Sequence, residues 1–289
     1  MQFEMSPCTE DDAAFIEEQA DRAFYAVAPP GETAEETLVL KVTDEAENCL
    51  GGCILAVDDR NTAAIYDLWV EGPYRRRGIA SALIREAERE ARARGCYLVM
   101  VGTFDFQAKP LYIRLGYALN DTMSGVPKGH EHYFLTKRLD CPCGENAPAY
   151  PPQYAIRRGD ERDARILRDR LRAYDDACAP RGHGYIPLGK KVTDGSGRII
   201  AGFVGGVDGW NGTDLDALWV DEAYRRQGIG SRLLSAYERE AKESGAEAVF
   251  IEAFDWNVGF FRKNGYDKLT GVLEDYPKGH TLYCLQKPL

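Results

Sequence analysis

Leu68-Trp-Val-Glu-Gly-Pro-Tyr-Arg-Arg-Arg-Gly-Ile-Ala-Ser81 returns 150 positions later as Leu218-Trp-Val-Asp-Glu-Ala-Tyr-Arg-Arg-Gln-Gly-Ile-Gly-Ser231. Each stretch reads as the end of a β-rich run, a basic glycine turn, and the start of an amphipathic segment. A glycine turn at a helix N-terminus leaves backbone N–H groups unpaired, and these bind phosphate. Glycine lets the backbone approach a ligand that a Cβ would keep away. Flanking arginines add charge-assisted hydrogen bonds.

Working outward, the repeat persists. Glu88-Arg-Glu-Ala91 is answered by Glu238-Arg-Glu-Ala241, Phe104-Asp105 by Phe254-Asp255, and Pro127-Lys-Gly-His130 by Pro277-Lys-Gly-His280. Gly116-Tyr117 is answered by Gly265-Tyr266 at 149, a shift later compensated. A repeat this long and this ordered is a duplicated domain rather than a solenoid unit. The expected organisation is copy 1 over 1–139, a Pro/Gly linker over 140–152 and copy 2 over 153–289.

Each copy opens on a capped amphipathic helix, Ala13 to Ala28 after Thr9 and, in copy 2, from Asp160 to about Ala177. Three β-rich runs follow, ending at Thr43, Asp58 and Val70 in copy 1 and at Thr193, Val204 and Val220 in copy 2. The next helix buries Ile79, Leu83, Ala87 and Ala91 on one face, or Ile229, Leu233, Tyr237 and Ala241, and stops at Gly95 or Gly245. A strand, a short helix and two more strands close the copy. The order predicts α/β domains, each a mixed sheet with helices on both faces.

The chain has 289 residues and a net charge of −10, which argues against a general nucleic-acid binder. No apolar run is long enough to span a membrane, and the N-terminal stretch lacks the pattern of a signal peptide. A cytoplasmic location with eight cysteines kept as thiols is therefore expected. The one close pair, Cys141-Pro-Cys143, lacks zinc-ligand spacing, and no metal site is expected.

Arg75-x-x-Gly78-x-Ala80 and Arg225-x-x-Gly228-x-Gly230 resemble the acyl-CoA pyrophosphate loop of the GNAT superfamily of N-acetyltransferases. Phe106 to Tyr117 and Trp256 to Tyr266 resemble its second element, a short helix along the pantetheine that ends in Gly-Tyr. The resemblance covers nearly all of both copies. It implies tandem GNAT folds packed as a pseudo-dimer within a monomer, or a homodimer, with acetyl-CoA as cofactor. The implied activity is direct acetyl transfer to a primary amine of a small molecule. A binding module with one or both copies non-catalytic, and a protein N-acetyltransferase, are the alternatives.

The resemblance also implies site residues. Coenzyme contacts fall on Leu68, Trp69, Val70, Arg75, Arg76, Arg77, Gly78, Ile79, Ala80, Ser81 and Gln107 in copy 1. In copy 2 they fall on Leu218, Trp219, Val220, Arg225, Arg226, Gln227, Gly228, Ile229, Gly230, Ser231 and Asn257. Tyr112 fits the proton donor for the leaving thiolate, whereas copy 2 has Phe261 there. Deprotonating the amine needs a base. Asp67 and Asp105 in copy 1, and Asp214, Asp216 and Glu252 in copy 2, are candidates; alternation puts Asp214 and Asp216 on one face of their strand. His130 and His280 sit in Pro-Lys-Gly turns and read as structural. The loops 28–36 and 179–185 differ between copies and carry no chemical pattern.

Overall fold

In the computed structural model, residues 3–140 and 155–289 are described. Cys141, Cys143, the linker beyond Asp140, and Gln153 lie outside the described residues.

The first repeat folds as β1 (Glu4–Pro7), α1 (Glu10–Tyr25), β2 (Glu36–Thr43), β3 (Cys49–Val57), β4 (Thr62–Val70), α2 (Ile79–Ala93), β5 (Leu98–Phe104), α3 (Lys109–Arg114), β6 (Ala118–Ser124) and β7 (Glu131–Arg138). The second follows the same order: β8 (Ile156–Arg158), α4 (Glu161–Cys178), β9 (Ile186–Thr193), β10 (Ile199–Val207), β11 (Thr213–Val220), α5 (Ile229–Glu243), β12 (Ala248–Phe254), α6 (Val258–Lys263), β13 (Lys268–Glu274) and β14 (Thr281–Pro288). The mixed α/β architecture expected from the sequence is present in both.

Local chemistry accounts for the helix ends. Thr9 and Asp12 form a reciprocal capping box at α1, and Asp160 and Asp163 do the same at α4. The helix α2 ends ahead of Gly95 (φ +82°), a left-handed stop that costs glycine little. Its Ile79, Leu83, Ala87 and Ala91 are all buried in the core under the sheet.

The chain forms two compact units, and they do not follow the repeat copies. One comprises residues 30–122 and 130–180; the other comprises 1–29, 123–129 and 181–289. Each repeat's opening strand and helix belongs to the sheet of the other repeat. Strand β8 pairs antiparallel with β2, and β1 pairs antiparallel with β9. Helix α4 covers β2, β3 and β4, whereas α1 covers β10 and β11. The boundaries at 139 and 153 thus describe the duplicated sequence rather than the folded units. The fit of these helices is steric. A Cβ on Gly52 would lie 2.6 Å from Leu167 Cδ1, and one on Gly202 would lie 2.2 Å from Ile16 Cδ1. Lys41 to Asp163 (2.8 Å) and Lys191 to Asp12 (2.6 Å) pin the N-terminus of each helix to the sheet it covers.

In the 30–180 unit the strand order is β6-β7-β5-β4-β3-β2-β8. Strands β4 and β5 run parallel and pair only from Thr62–Leu98 to Ile65–Val101. Beyond that point they part, which opens a gap at their C-terminal ends. The 181–289 unit goes further: β1-β9-β10-β11 and β12-β14-β13 form separate sheets. Between β11 and β12, Phe250 N donates to Thr213 Oγ1 at 3.1 Å.

Candidate functional site

Both basic loops adopt one conformation. Arg76 (φ +63°) and Gly78 (φ +86°) are left-handed, as are Arg226 (φ +61°) and Gly228 (φ +77°). No side chain caps α2 or α5, so their first-turn N–H groups point out of the loop. A Cβ built on Gly78 or Gly228 meets no atom within 4 Å, and Arg75–Gly78 and Arg225–Gly228 are exposed. The cradle is therefore open to solvent, positively charged and lined by backbone donors, which fits a pyrophosphate.

The first arginine of each loop serves the framework. Arg75 Nε donates to Val70 O at 2.8 Å, and Arg225 Nε donates to Val220 O at 3.0 Å. The two loops differ in their last small residue. A Cβ on Gly230 would lie 3.3 Å from the Phe260 ring, whereas the first repeat carries Ala80 there and Leu111 at the position of Phe260. Ile79 and Ile229 are buried and anchor the loops, while Ser81 and Ser231 follow them on the first helical turn.

Both gap-lining strands carry a β-bulge near the candidate carboxylates, of which Asp67 is half-buried and Asp214 and Asp216 are exposed. One bulge falls between Ile54 and Leu55 opposite β4, the other between Val204 and Gly206 opposite β11. Burial raises the Asp67 carboxyl above its ordinary value; Arg168 on α4, whose Nε is 4.0 Å away, pulls it back. In the 181–289 unit, burial raises Asp214, whose Oδ1 accepts from Tyr185 Oη at 3.1 Å. Asp216 is raised by burial, then by Asp214 and by Glu17 of α1. Glu252 is exposed on β12. The two gaps thus differ in charge, since Arg168 and Glu17 hold equivalent positions on α4 and α1.

Tyr112 is buried in the core beneath α2, edge-on to Tyr117, and burial raises its phenol far above the ordinary value, so it stays protonated. Phe261 occupies the same place against Tyr266. Gln107 Oε1 accepts from Phe104 N (3.0 Å) and Asn257 Oδ1 accepts from Phe254 N (2.7 Å). The amide oxygens of both residues therefore hold the turn after the strand. Trp69 packs against the α4 face with its Nε1 buried and unpartnered. Leu68, Leu218 and Val220 face the cores, and Phe15 packs edge-on to Trp219.

The histidine turns are also paired twice over. His130 Nδ1 lies 2.9 Å from Asp105 Oδ1, and His280 Nδ1 lies 3.2 Å from Asp255 Oδ1. Each clamps the turn to the end of the preceding central strand.

A different histidine carries a measurable consequence. His132 on β7 sits between the Phe104 and Phe134 rings, at 4.2 and 4.3 Å, and burial pushes its imidazole down to about 4. The unfolded chain takes up the proton near pH 6.5. The neutral ring therefore contributes stability that is complete above about pH 6.5 and is lost as pH falls toward 4. Leu282 holds this position in the second repeat. His132→Leu is expected to flatten that loss by about 3 kcal/mol, read from urea midpoints between pH 7 and pH 4. An unchanged slope would assign the acid sensitivity to other groups.

Sequence reading missed the contribution of α4. Arg168, Arg170, Tyr174 and Asp175 belong to the second repeat but stand at the first repeat's gap: Arg170 Nη1 is 2.8 Å from Glu71 Oε1, and Asp175 Oδ1 accepts from Gln107 Nε2 at 2.7 Å. No local pattern signals this, because it depends on which sheet the helix covers. Tyr185 was likewise hidden in the unreadable 179–185 loop.

The model of the Acetyltransferase (GNAT) family matches residues 5–117 and 148–266. A blasticidin-S acetyltransferase of Streptomyces morookaense is 38% identical over 95 residues, 32% of this chain and 68% of that protein. An acetyltransferase of Agrobacterium fabrum is 28% identical over 115 residues, 40% of this chain and 83% of that protein. A solved acetyltransferase from Bacillus cereus is 27% identical, with a TM-score of 0.42 over 46% of this chain and 95% of that one. Among the described residues, no helix is long and apolar enough to cross a membrane.

Proposed function

The chain belongs to the Acetyltransferase (GNAT) family, acyltransferases that use acetyl-CoA, and from that premise we propose that it acetylates a primary amine of a small molecule in the 30–180 unit. When bound, acetyl-CoA supplies the acetyl group as an activated thioester. Gly78, Ile79, Ala80 and Ser81 offer backbone N–H groups to its pyrophosphate, with Arg76 and Arg77 adding charge. The parted strands leave the Leu68–Val70 stretch of β4 without a strand partner on the β5 side, where the backbone groups that alternate toward that side can pair with the pantetheine amides.

The observation that carries the reading is Asp67. It stands on the gap-lining strand with a carboxyl raised by burial, which makes it a better proton acceptor than an exposed aspartate. Its Oδ atoms take the proton of the attacking amine. Tyr112 Oη is protonated at neutral pH and gives its proton to the thiolate that leaves as the acetyl–sulfur bond breaks. The relative named as a blasticidin-S acetyltransferase supports a small-molecule acceptor.

The 181–289 unit supports a second reading for that half. It keeps the loop from Gly228 to Ser231 and the candidate bases Asp216 and Glu252, but Phe261 donates no proton. That unit holds coenzyme or a cationic ligand with slow turnover or none.

The test is release of free thiol from acetyl-CoA across a panel of small amines, with wild type and Tyr112→Phe. Amine-dependent release is expected, falling about 100-fold in kcat in the variant. Release that no amine stimulates would remove the amine reading. Undiminished turnover in Tyr112→Phe would remove that residue's role.

A further inference from the structure

We propose that Tyr174 and Asp175 of α4 are positioning residues that set the opening of the coenzyme gap in the 30–180 unit. They reach it from the second repeat. The need for such residues follows from the sheet. Strands β4 and β5 exchange hydrogen bonds only as far as Ile65 and Val101. Beyond that point nothing in the ladder fixes their separation, so the width of the gap depends on what spans it.

The C-terminal part of α4 spans it. Tyr174 Oη donates to Phe106 O at 2.9 Å, on the turn after β5. The Tyr174 ring lies 5.8 Å from the Trp69 ring on β4, and the Arg75 guanidinium lies over both rings, 4.5 Å from Trp69 and 5.4 Å from Tyr174. Arg75 in turn holds Val70 O. The neighbouring Asp175 is buried and accepts from Gln107 Nε2, while the other end of that amide accepts from Phe104 N at the end of β5. One turn of helix is thus tied to the end of β4, to the phosphate loop and to the end of β5. Tyr174 and Asp175 touch no reacting atom; they act through the walls they hold.

The 181–289 unit provides the contrast. Ala23 and Phe24 occupy the equivalent positions on α1. Phe24 meets the Phe254 and Trp256 rings at 5.3 and 5.7 Å, an apolar contact without the hydrogen-bonded tie. Loss of Tyr174 should therefore be felt in one unit only.

This inference rests on acetyl-CoA lying in the 30–180 unit and not on the identity of the acceptor. The experiment measures acetyl-CoA binding by calorimetry on the full chain without an amine. Gly228→Glu silences one loop, so that titration reads the 30–180 unit; Gly78→Glu gives the reverse. Tyr174→Phe keeps the ring and deletes the hydroxyl. In the Gly228→Glu chain it is expected to weaken binding about three- to tenfold, the effect of one lost hydrogen bond. Tyr174→Ala, which also removes the ring from Trp69 and Arg75, is expected to weaken it further. In the Gly78→Glu chain both should leave affinity unchanged. Unchanged affinity in the Gly228→Glu chain, or equal losses in both chains, would overturn the positioning role. No binding in the Gly228→Glu chain would overturn it by removing the coenzyme from that gap. Failure of every amine in the turnover panel leaves these affinities untouched, so the two failures are distinguishable.

Discussion

Gly78→Glu is expected to abolish acetyl-CoA binding in the 30–180 unit while leaving the fold intact. Gly228→Glu should do the same for the 181–289 unit. Two effects combine. The carboxylate enters the open cradle of backbone donors proposed to hold the pyrophosphate, and its charge would repel that group. The left-handed backbone, φ +86° at Gly78 and +77° at Gly228, also disfavours any side chain, by about 1 kcal/mol. The folding cost is limited because a new Cβ meets no protein atom within 4 Å, and because Arg76 and Arg226 already hold left-handed conformations in the same turns. Calorimetry is expected to show two sites in wild type and one in each variant, each lost site at least about 100-fold weaker. Gly78→Ala separates the causes, since it adds strain without charge and should cost far less affinity. A variant that keeps both sites would show that its loop does not hold the pyrophosphate.

Asp67→Asn is expected to lower kcat by about 10²–10⁴, the range for loss of a general base, without lowering stability. The separation of the two effects is the informative part. Burial is the largest influence on Asp67 and acts against its charged form, while Arg168 compensates only partly. A carboxyl raised in the folded state contributes stability below its unfolded value, and that contribution is lost as pH rises through the folded value. At neutral pH the ionised Asp67 is therefore a cost, and the neutral amide should leave the melting temperature equal or higher. The same shift fixes the pH profile. Activity should fall on the acid side at a pH above the ordinary carboxylate range, and Arg168→Gln should move that limb higher still, because Arg168 is the charge that lowers Asp67. A variant that loses stability and activity together would mark Asp67 as structural.

The two repeats have diverged in complementary ways. The first keeps Tyr112, and its Asp67 meets Arg168 from α4 of the second; the second keeps the fuller glycine loop, and its Asp214 and Asp216 face Glu17 from α1 of the first, but it has Phe261. Opposite charges at equivalent positions of α4 and α1 give the two gaps different surroundings, so neither gap is a spare copy of the other. Cutting the chain at the linker would take α4, with Arg168, Tyr174 and Asp175, away from the gap it completes.

By itself the sequence determined what depends on neighbours along the chain. The duplicated strand–loop–helix, the caps at Thr9 and Asp160, the stop at Gly95 and the left-handed glycine of each loop are local. They follow from backbone sterics and short-range hydrogen bonds, which a residue pattern records directly. Tertiary structure alone decided where each opening helix goes. Periodicity fixes which face of α1 or α4 is buried, but two sheets of nearly the same pattern, with Gly52 and Gly202 as matching seats for Leu167 and Ile16, are equally acceptable to a local reading. From that exchange come the partner of Asp67, the ties of Tyr174 and Asp175, and the charge of each gap. Burial decided the rest: the raised carboxyls of Asp67 and Asp216 and the lowered imidazole of His132 are sums over distant segments, and no residue carries that sum in its own neighbourhood.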